Sequence, residues 1–240
     1  MSYRNSHVGE GKGLWYDATH AEKVDAVIWS SFIKDFVSRA FEEAVARGAK
    51  RYLDFACGTG RLLKVGVKYF PAATGIDVSA DMLEVARERV PEALFYCVDV
   101  TREQDQRIGD FDCVTLFRFL LNAEPSLRNE VLVWLAAHMS TGATLIGNNH
   151  MESASISGLV TAFANRWIGR GRNHLSRQDV EAMLSAAGFR VQLWAGFRVL
   201  PTVMGKPILG HRLQMAFERL LVGLGLGRFG VEQIFVARRV

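Results

Sequence analysis

Cysteine is scarce: Cys57, Cys97 and Cys113 are the only three in 240 residues. They stand too far apart for metal-ligand spacing and form no disulfide framework, so no metal is expected. They read instead as buried, reduced, small apolar residues. No run approaches the roughly 18 apolar residues that a membrane-spanning helix needs. The leader Met1-Ser2-Tyr3-Arg4-Asn5-Ser6-His7 lacks the apolar stretch of a signal peptide. Cytoplasmic residence is therefore expected, with contact at the inner membrane surface as its variant. Internal repeats and low-complexity segments are absent. The net charge of +4 is too small to argue nucleic-acid binding. With 49% apolar and 22% charged residues, the chain has the composition of one large globular domain.

What is present concentrates at Tyr52-Leu53-Asp54-Phe55-Ala56-Cys57-Gly58-Thr59-Gly60-Arg61. Tyr52, Leu53 and Phe55 suit a buried strand, the glycines break it, and Arg61 to Tyr69 is compatible with a helix. Glycine allows a sharp bend or a close approach to a ligand, and a helix start offers unpaired N–H groups. A dinucleotide fingerprint needs a third glycine three positions after Gly60, where this chain has Leu63. Asp54 is poorly placed beside a pyrophosphate and well placed near a cation. By charge the bend suits S-adenosylmethionine, which carries a sulfonium, an ammonium and no phosphate.

Further strand-like runs follow in rhythm. Ala73 to Ser79 contains Asp77, seventeen positions after Gly60, suited to accepting hydrogen bonds from ribose hydroxyls. Ser79 reads as the cap of the next helix. Ala93 to Val100 contains Asp99, and Phe111 to Phe117 makes a fourth run. These endings would line the carboxyl edge of a parallel sheet, where open α/β sheets bind ligands.

The ordered blocks LDFACGTGRL, GIDVSADML, CVDV and FDCVTLFRFLLN resemble the class I S-adenosylmethionine-dependent methyltransferases of small-molecule type, from Tyr52 to about Ile146. The resemblance implies a Rossmann-like sheet of seven strands, order 3-2-1-4-5-7-6, with the last strand antiparallel. It implies S-adenosylmethionine as cofactor and S-adenosylhomocysteine as product. By the same resemblance Asp54, Ala56, Gly58 and Gly60 line the methionine end. Asp77 takes the ribose, Val78 and Met82 pack on adenine, and Asp99 with Val100 contacts its amino side. Phe117 lies beneath the cofactor near the methyl, and Tyr16 of Trp15-Tyr16-Asp17 folds over it as a lid.

Transfer of a methyl group depends on alignment, and a hydroxyl acceptor also needs a base. Many small-molecule members carry a histidine after strand four. This chain has Arg118-Phe119-Leu120-Leu121-Asn122 there, and Asn122 can only orient an acceptor. His150, beyond the fifth strand in Asn148-Asn149-His150, is the candidate base. Arg118 is the candidate for holding an anionic acceptor. The expected reaction methylates an oxygen, or alternatively a nitrogen, of a small molecule or glycan. A nucleotide-cofactor oxidoreductase and a non-catalytic cofactor-binding protein are the rival readings. Nucleic acid is disfavoured, since no Asn- or Asp-Pro-Pro-aromatic tetrapeptide follows strand four.

The expected organisation is an N-terminal helical cap over 1–48, a cofactor core over 49–150 and acceptor-side elements over 151–240. Helical spacing runs from Ala21 to Arg47, from Pro125 to His138, and from Ser153 to Ile168. Ser176 to Asp179 starts another helix, followed by strands over Phe189–Phe197 and Val231–Arg238. Between those strands lies an insertion, Leu200 to Gly230. It carries an apolar stripe (Leu209, Leu213, Ala216, Phe217, Leu220, Leu221, Leu224) beside Arg212 and Arg219. Three roles stay open for 205–228: lid or core, homodimer surface, or a basic amphipathic helix on an anionic membrane. In the last case a lipid or lipid-linked glycan becomes the favoured acceptor.

Overall fold

Tyr52, Leu53, Asp54 and Phe55 are all buried in β1 (Arg51–Phe55). Burial on both faces is what a near-continuous apolar strand requires, and it places β1 in the interior of a sheet. The structure, a computed structural model, describes residues 32–240 except 104, 151, 154, 156–174, 201, 204–205 and 208. Tyr16, the first part of the expected helix from Ala21, and nearly all of the expected helix from Ser153 lie outside the described residues.

The other strands of the main sheet are β2 (Ala72–Asp77), β3 (Leu94–Cys97), β4 (Phe111–Leu116), β5 (Met139–Asn149), β6 (Phe189–Phe197) and β9 (Glu232–Arg239). The order is β3-β2-β1-β4-β5-β9-β6. β1 to β5 are parallel, and β9 runs antiparallel to both β5 and β6. This is the Rossmann-like methyltransferase sheet, with its seventh strand reversed and inserted between the fifth and sixth.

Alternation along the strands divides the core into two layers. Leu53, Phe55, Val114 and Leu145 pack with Val131 and Leu135 of α4 (Pro125–Ala137) and Val180 and Leu184 of α5 (Arg177–Ala186). Tyr52, Cys113 and Ile146 face the opposite way, against Val37 and Phe41 of α1 (Lys34–Ala46) and Leu63 of α2 (Leu63–Gly66). The expected start at Ser176 is a full capping box: Asp179 N donates to Ser176 Oγ at 3.1 Å, and Ser176 N donates to Asp179 Oδ2 at 2.8 Å.

The helix read over Arg61 to Tyr69 is shorter than its pattern. Only Leu63–Gly66 is α-helical, with turns on either side. Val65 N and Gly66 N both donate to Leu62 O, mixing tight and regular bonds within one turn. Close packing on Tyr52 accompanies this compact form. The Tyr52 ring stacks on Phe70 and meets Phe41 edge-on, and its hydroxyl lies 2.6 Å from Thr115 Oγ1. A Cβ on Gly66 would run into that ring. Gly66→Ala is therefore expected to cost about 1–3 kcal/mol, measured as a lower denaturation midpoint at unchanged slope.

Cys57 and Cys113 are buried as expected, but Cys97 is exposed. It belongs to β3, which among the described residues has a sheet neighbour on one side only. The insertion contains the two-residue strands β7 (Thr202–Val203) and β8 (Lys206–Pro207), the helix α6 (His211–Gly223) and a 3-10 turn at Leu226–Phe229. It returns to β9 through buried Gln233, whose Nε2 donates to Gly230 O at 2.5 Å and Gly227 O at 3.3 Å.

Candidate cofactor and acceptor site

Two neighbouring strands leave the sheet in left-handed conformations. After β1, Ala56, Gly58 and Gly60 have φ of 55°, 52° and 74°; after β4, Arg118 has φ of 54°. β2 and β4 flank β1 on opposite sides, so the chain reverses its order of winding there. The loops diverge at that switch point and open a crevice. The cavity in it is lined by the β1 loop (Asp54, Ala56, Gly58, Thr59, Arg61), by Asp77, Val78 and Met82, and by Asp99 and Val100. Phe117, Arg118, Asn122, Asn148 and Glu232 also line it, with Ile33 from the start of α1.

Asp77 closes the cradle at one side. Its Oδ2 accepts from Gly58 N at 2.8 Å and its Oδ1 from Ser79 N at 2.9 Å. Ser79 in turn caps α3 (Ala80–Arg89), accepting from Met82 N, so cap and site-facing acid coexist in one segment. Arg89 donates to Thr59 O at 2.6 Å and pins the loop to that helix. Asp99 accepts from Thr101 N and Oγ1, making a turn while it lines the cavity.

Gly60 is not among the lining residues, and a Cβ there would meet Ala86 Cβ at 3.2 Å. Its contribution is the left-handed turn and the close approach of α3. His150 is likewise absent from the lining.

Asp54 is 3% exposed and accepts from Thr115 Oγ1 at 2.8 Å and from Leu63 N at 3.1 Å. Burial outweighs those bonds and raises its carboxyl from 3.8 to about 7. Such an acid holds in the fold a proton that the unfolded chain releases. Its stabilising contribution is complete near pH 4 and is lost as pH rises toward 7. The difference in unfolding free energy between wild type and Asp54→Asn should therefore change across pH 4–7 and level off above, as read by denaturant titration at each pH. A constant difference would remove this role for Asp54.

On the acceptor side a chain of bonds fixes the strained Arg118. Arg118 N donates to Asn148 Oδ1 at 2.6 Å, and Asn122 Nδ2 donates to Arg118 O at 2.6 Å. Asn148 Nδ2 donates to Glu232 Oε1 at 2.5 Å, with both side chains buried. A backbone N–H can only donate, so the Asn148 amide has one allowed orientation, and its NH2 needs an acceptor such as Glu232. Glu232 escaped the sequence reading because it starts the reversed strand, outside the βα rhythm that marked the other acids.

Residues 53–142 match the family model described as a methyltransferase domain. This stretch is similar to methyltransferase domains, and it lies within a sheet of their strand order. Among curated relatives, the chain is 34% identical over 99 residues to the dTDP-3-amino-3,4,6-trideoxy-alpha-D-glucopyranose N,N-dimethyltransferase of Streptomyces venezuelae, covering 39% of this chain and 40% of that protein. It is 30% identical over 146 residues to the trans-aconitate 2-methyltransferase of Escherichia coli O1:K1 / APEC, covering 59% of this chain and 57% of that protein. The chain thus spans about half the length, or less, of the curated relatives it matches. The methyltransferase fold extends further than these sequence matches. The magnesium protoporphyrin IX methyltransferase of Synechocystis PCC 6803, solved with bound SAM, superposes at a TM-score of 0.64 with 14% identity, over 100% of this chain and 98% of that one.

Proposed function

We propose that this chain transfers the methyl group of S-adenosylmethionine to a small-molecule acceptor. The charge of the cavity carries the reading. In a chain of net charge +4, the lining brings Asp54, Asp77, Asp99 and Glu232 against Arg61 and Arg118. Such a wall favours a cationic ligand over a pyrophosphate. The residues fit the cofactor: Asp77 beside the Gly58 turn would hold its ribose, Asp99 and Met82 its adenine, and Asp54 would face its positive end. The bound cofactor supplies an electrophilic methyl group. The chain's own task is to align an acceptor with it and to exclude water.

Titration calorimetry with S-adenosylhomocysteine and with NADH tests this reading. Binding of the first alone is expected; binding of NADH alone would overturn it. A cation beside Asp54 favours its ionised form, so ligand uptake should release a proton. Affinity is then expected to strengthen as pH rises toward about 7 and to level off above that value, a dependence that Asp54→Asn should abolish.

For the acceptor, Arg118 supports an anionic molecule methylated on oxygen. An ionised carboxylate needs no proton removed, which suits a cavity without a histidine among its described lining residues. The likeness to trans-aconitate 2-methyltransferase accords with it. Glu232 favours the second reading, an amine acceptor, as the N,N-dimethyltransferase relative would suggest. Methylation assays on carboxylate and amine panels separate the two: Arg118→Ala should selectively impair the first class, and Glu232→Gln, which keeps an acceptor for Asn148, should selectively impair the second. In either case His150→Ala should leave turnover within about threefold of wild type, since lost general-base catalysis would cost 100-fold or more.

A further inference from the structure

Helix α6 is built inside out. Gln214 and Glu218 are 3% and 1% exposed, while Leu213, Phe217, Leu220 and Leu224 are 52%, 43%, 56% and 66% exposed. The inward side is secured by polar bonds: Glu218 accepts from Val199 N at 3.1 Å and Leu200 N at 2.7 Å, just beyond β6. Met215 and Val222 pack against the core beside that anchor. The apolar stripe therefore neither joins the core nor closes over the cavity, whose described lining includes no residue of α6. Leu209 before the helix and Phe229 after it are exposed as well.

We propose that this face docks on an anionic phospholipid bilayer. Arg212, Arg219 and Arg228 are exposed along the same segment. The only acid between 209 and 230 is Glu218, which is turned inward. Exposed apolar side chains fringed by cations, with no exposed carboxylate in the segment, match a surface of acyl chains beneath anionic headgroups. A second copy of the chain is a poorer complement. A two-fold interface on this stripe would set arginines against arginines, with no acid from the segment to pair them.

Cosedimentation of the full chain with phosphatidylcholine vesicles, with and without about one-third phosphatidylglycerol, tests the proposal. Binding to the anionic vesicles alone, weakened by salt, is the expected result. Each arginine near the surface contributes about fivefold, so Arg212→Ala with Arg219→Ala should lower the partition coefficient about 25-fold. Leu213→Ser with Leu220→Ser should abolish binding. These side chains are exposed, so both double variants should keep the wild-type melting temperature and affinity for S-adenosylhomocysteine. Wild type that fails to bind anionic vesicles overturns the proposal, as does binding that neither double variant alters. A concentration-dependent dimer in light scattering, lost in the leucine variant without vesicles present, would assign the face to self-association instead.

Discussion

Asp77→Ala is expected to lower affinity for S-adenosylhomocysteine about 100-fold, as measured by titration calorimetry. Two losses combine. Each hydrogen bond to a charged group contributes about 1.5–3 kcal/mol, so losing the ribose contacts alone weakens binding by tenfold or more. The carboxylate also accepts from Gly58 N and Ser79 N, so its removal frees the loop that must already be in place. Freed loop atoms have to be ordered again at the moment of binding. Asp77→Asn keeps one acceptor oxygen and should fall between the two. The cradle reading predicts that affinity drops much further than the melting temperature. Equal affinities of Asp77→Ala and wild type would refute the placement of the ribose here.

The second large effect lies on the acceptor side. Asn148→Asp should lower kcat/KM about 100-fold at neutral pH. It sets a second carboxylate against Glu232 where an NH2 donor had been, with both groups buried. An uncompensated buried charge costs about 3–5 kcal/mol. Relief comes through the Arg118 peptide, whose left-handed conformation depends on the oxygen of residue 148. With a carboxylate acceptor, Glu232→Gln alone should stay within several-fold of wild type, because its amide oxygen still accepts from Asn148. Combined with Asn148→Asp it reverses the polarity of the bond: the new amide donates to the new carboxylate, and most activity should return. Residues that act through one bond are non-additive in this way. A pH profile separates positioning from simple loss of fold. The single Asn148→Asp variant should regain activity as pH falls, since one shared proton between the two carboxyls restores a donor. A double variant no better than Asn148→Asp would exclude the relay.

The relay and the cradle differ in how far they could be read from the chain. Asp54, Asp77, Asp99 and Phe117 sit at the ends of successive strand-like runs, and a parallel sheet brings the ends of such runs to one edge. Their grouping follows from local periodicity alone. Asn148 and Glu232 lie 84 positions apart and meet through antiparallel pairing of β5 with β9, which sets Asn148 opposite Ile234. No local pattern specifies that register. Gly60 is legible from its motif, whereas its close approach to Ala86 is a matter of packing between two elements. His150 drew notice through its chemistry, whereas only the loop after β5 settles whether its side chain reaches the cavity.

By itself the sequence determined the strand-loop-helix rhythm, the order of the cofactor-side acids and the departure from a dinucleotide loop at Leu63. These rest on side-chain period, on glycine at positive φ and on charge, all of them properties of neighbouring residues. Only the tertiary structure decided which way α6 faces. Its helical period is equally compatible with an apolar stripe turned in or out. The choice was made by the unpaired N–H groups of Val199 and Leu200 after β6, which need an acceptor, and Glu218 supplies it. Satisfying those donors turned the acid inward and left the leucines outside.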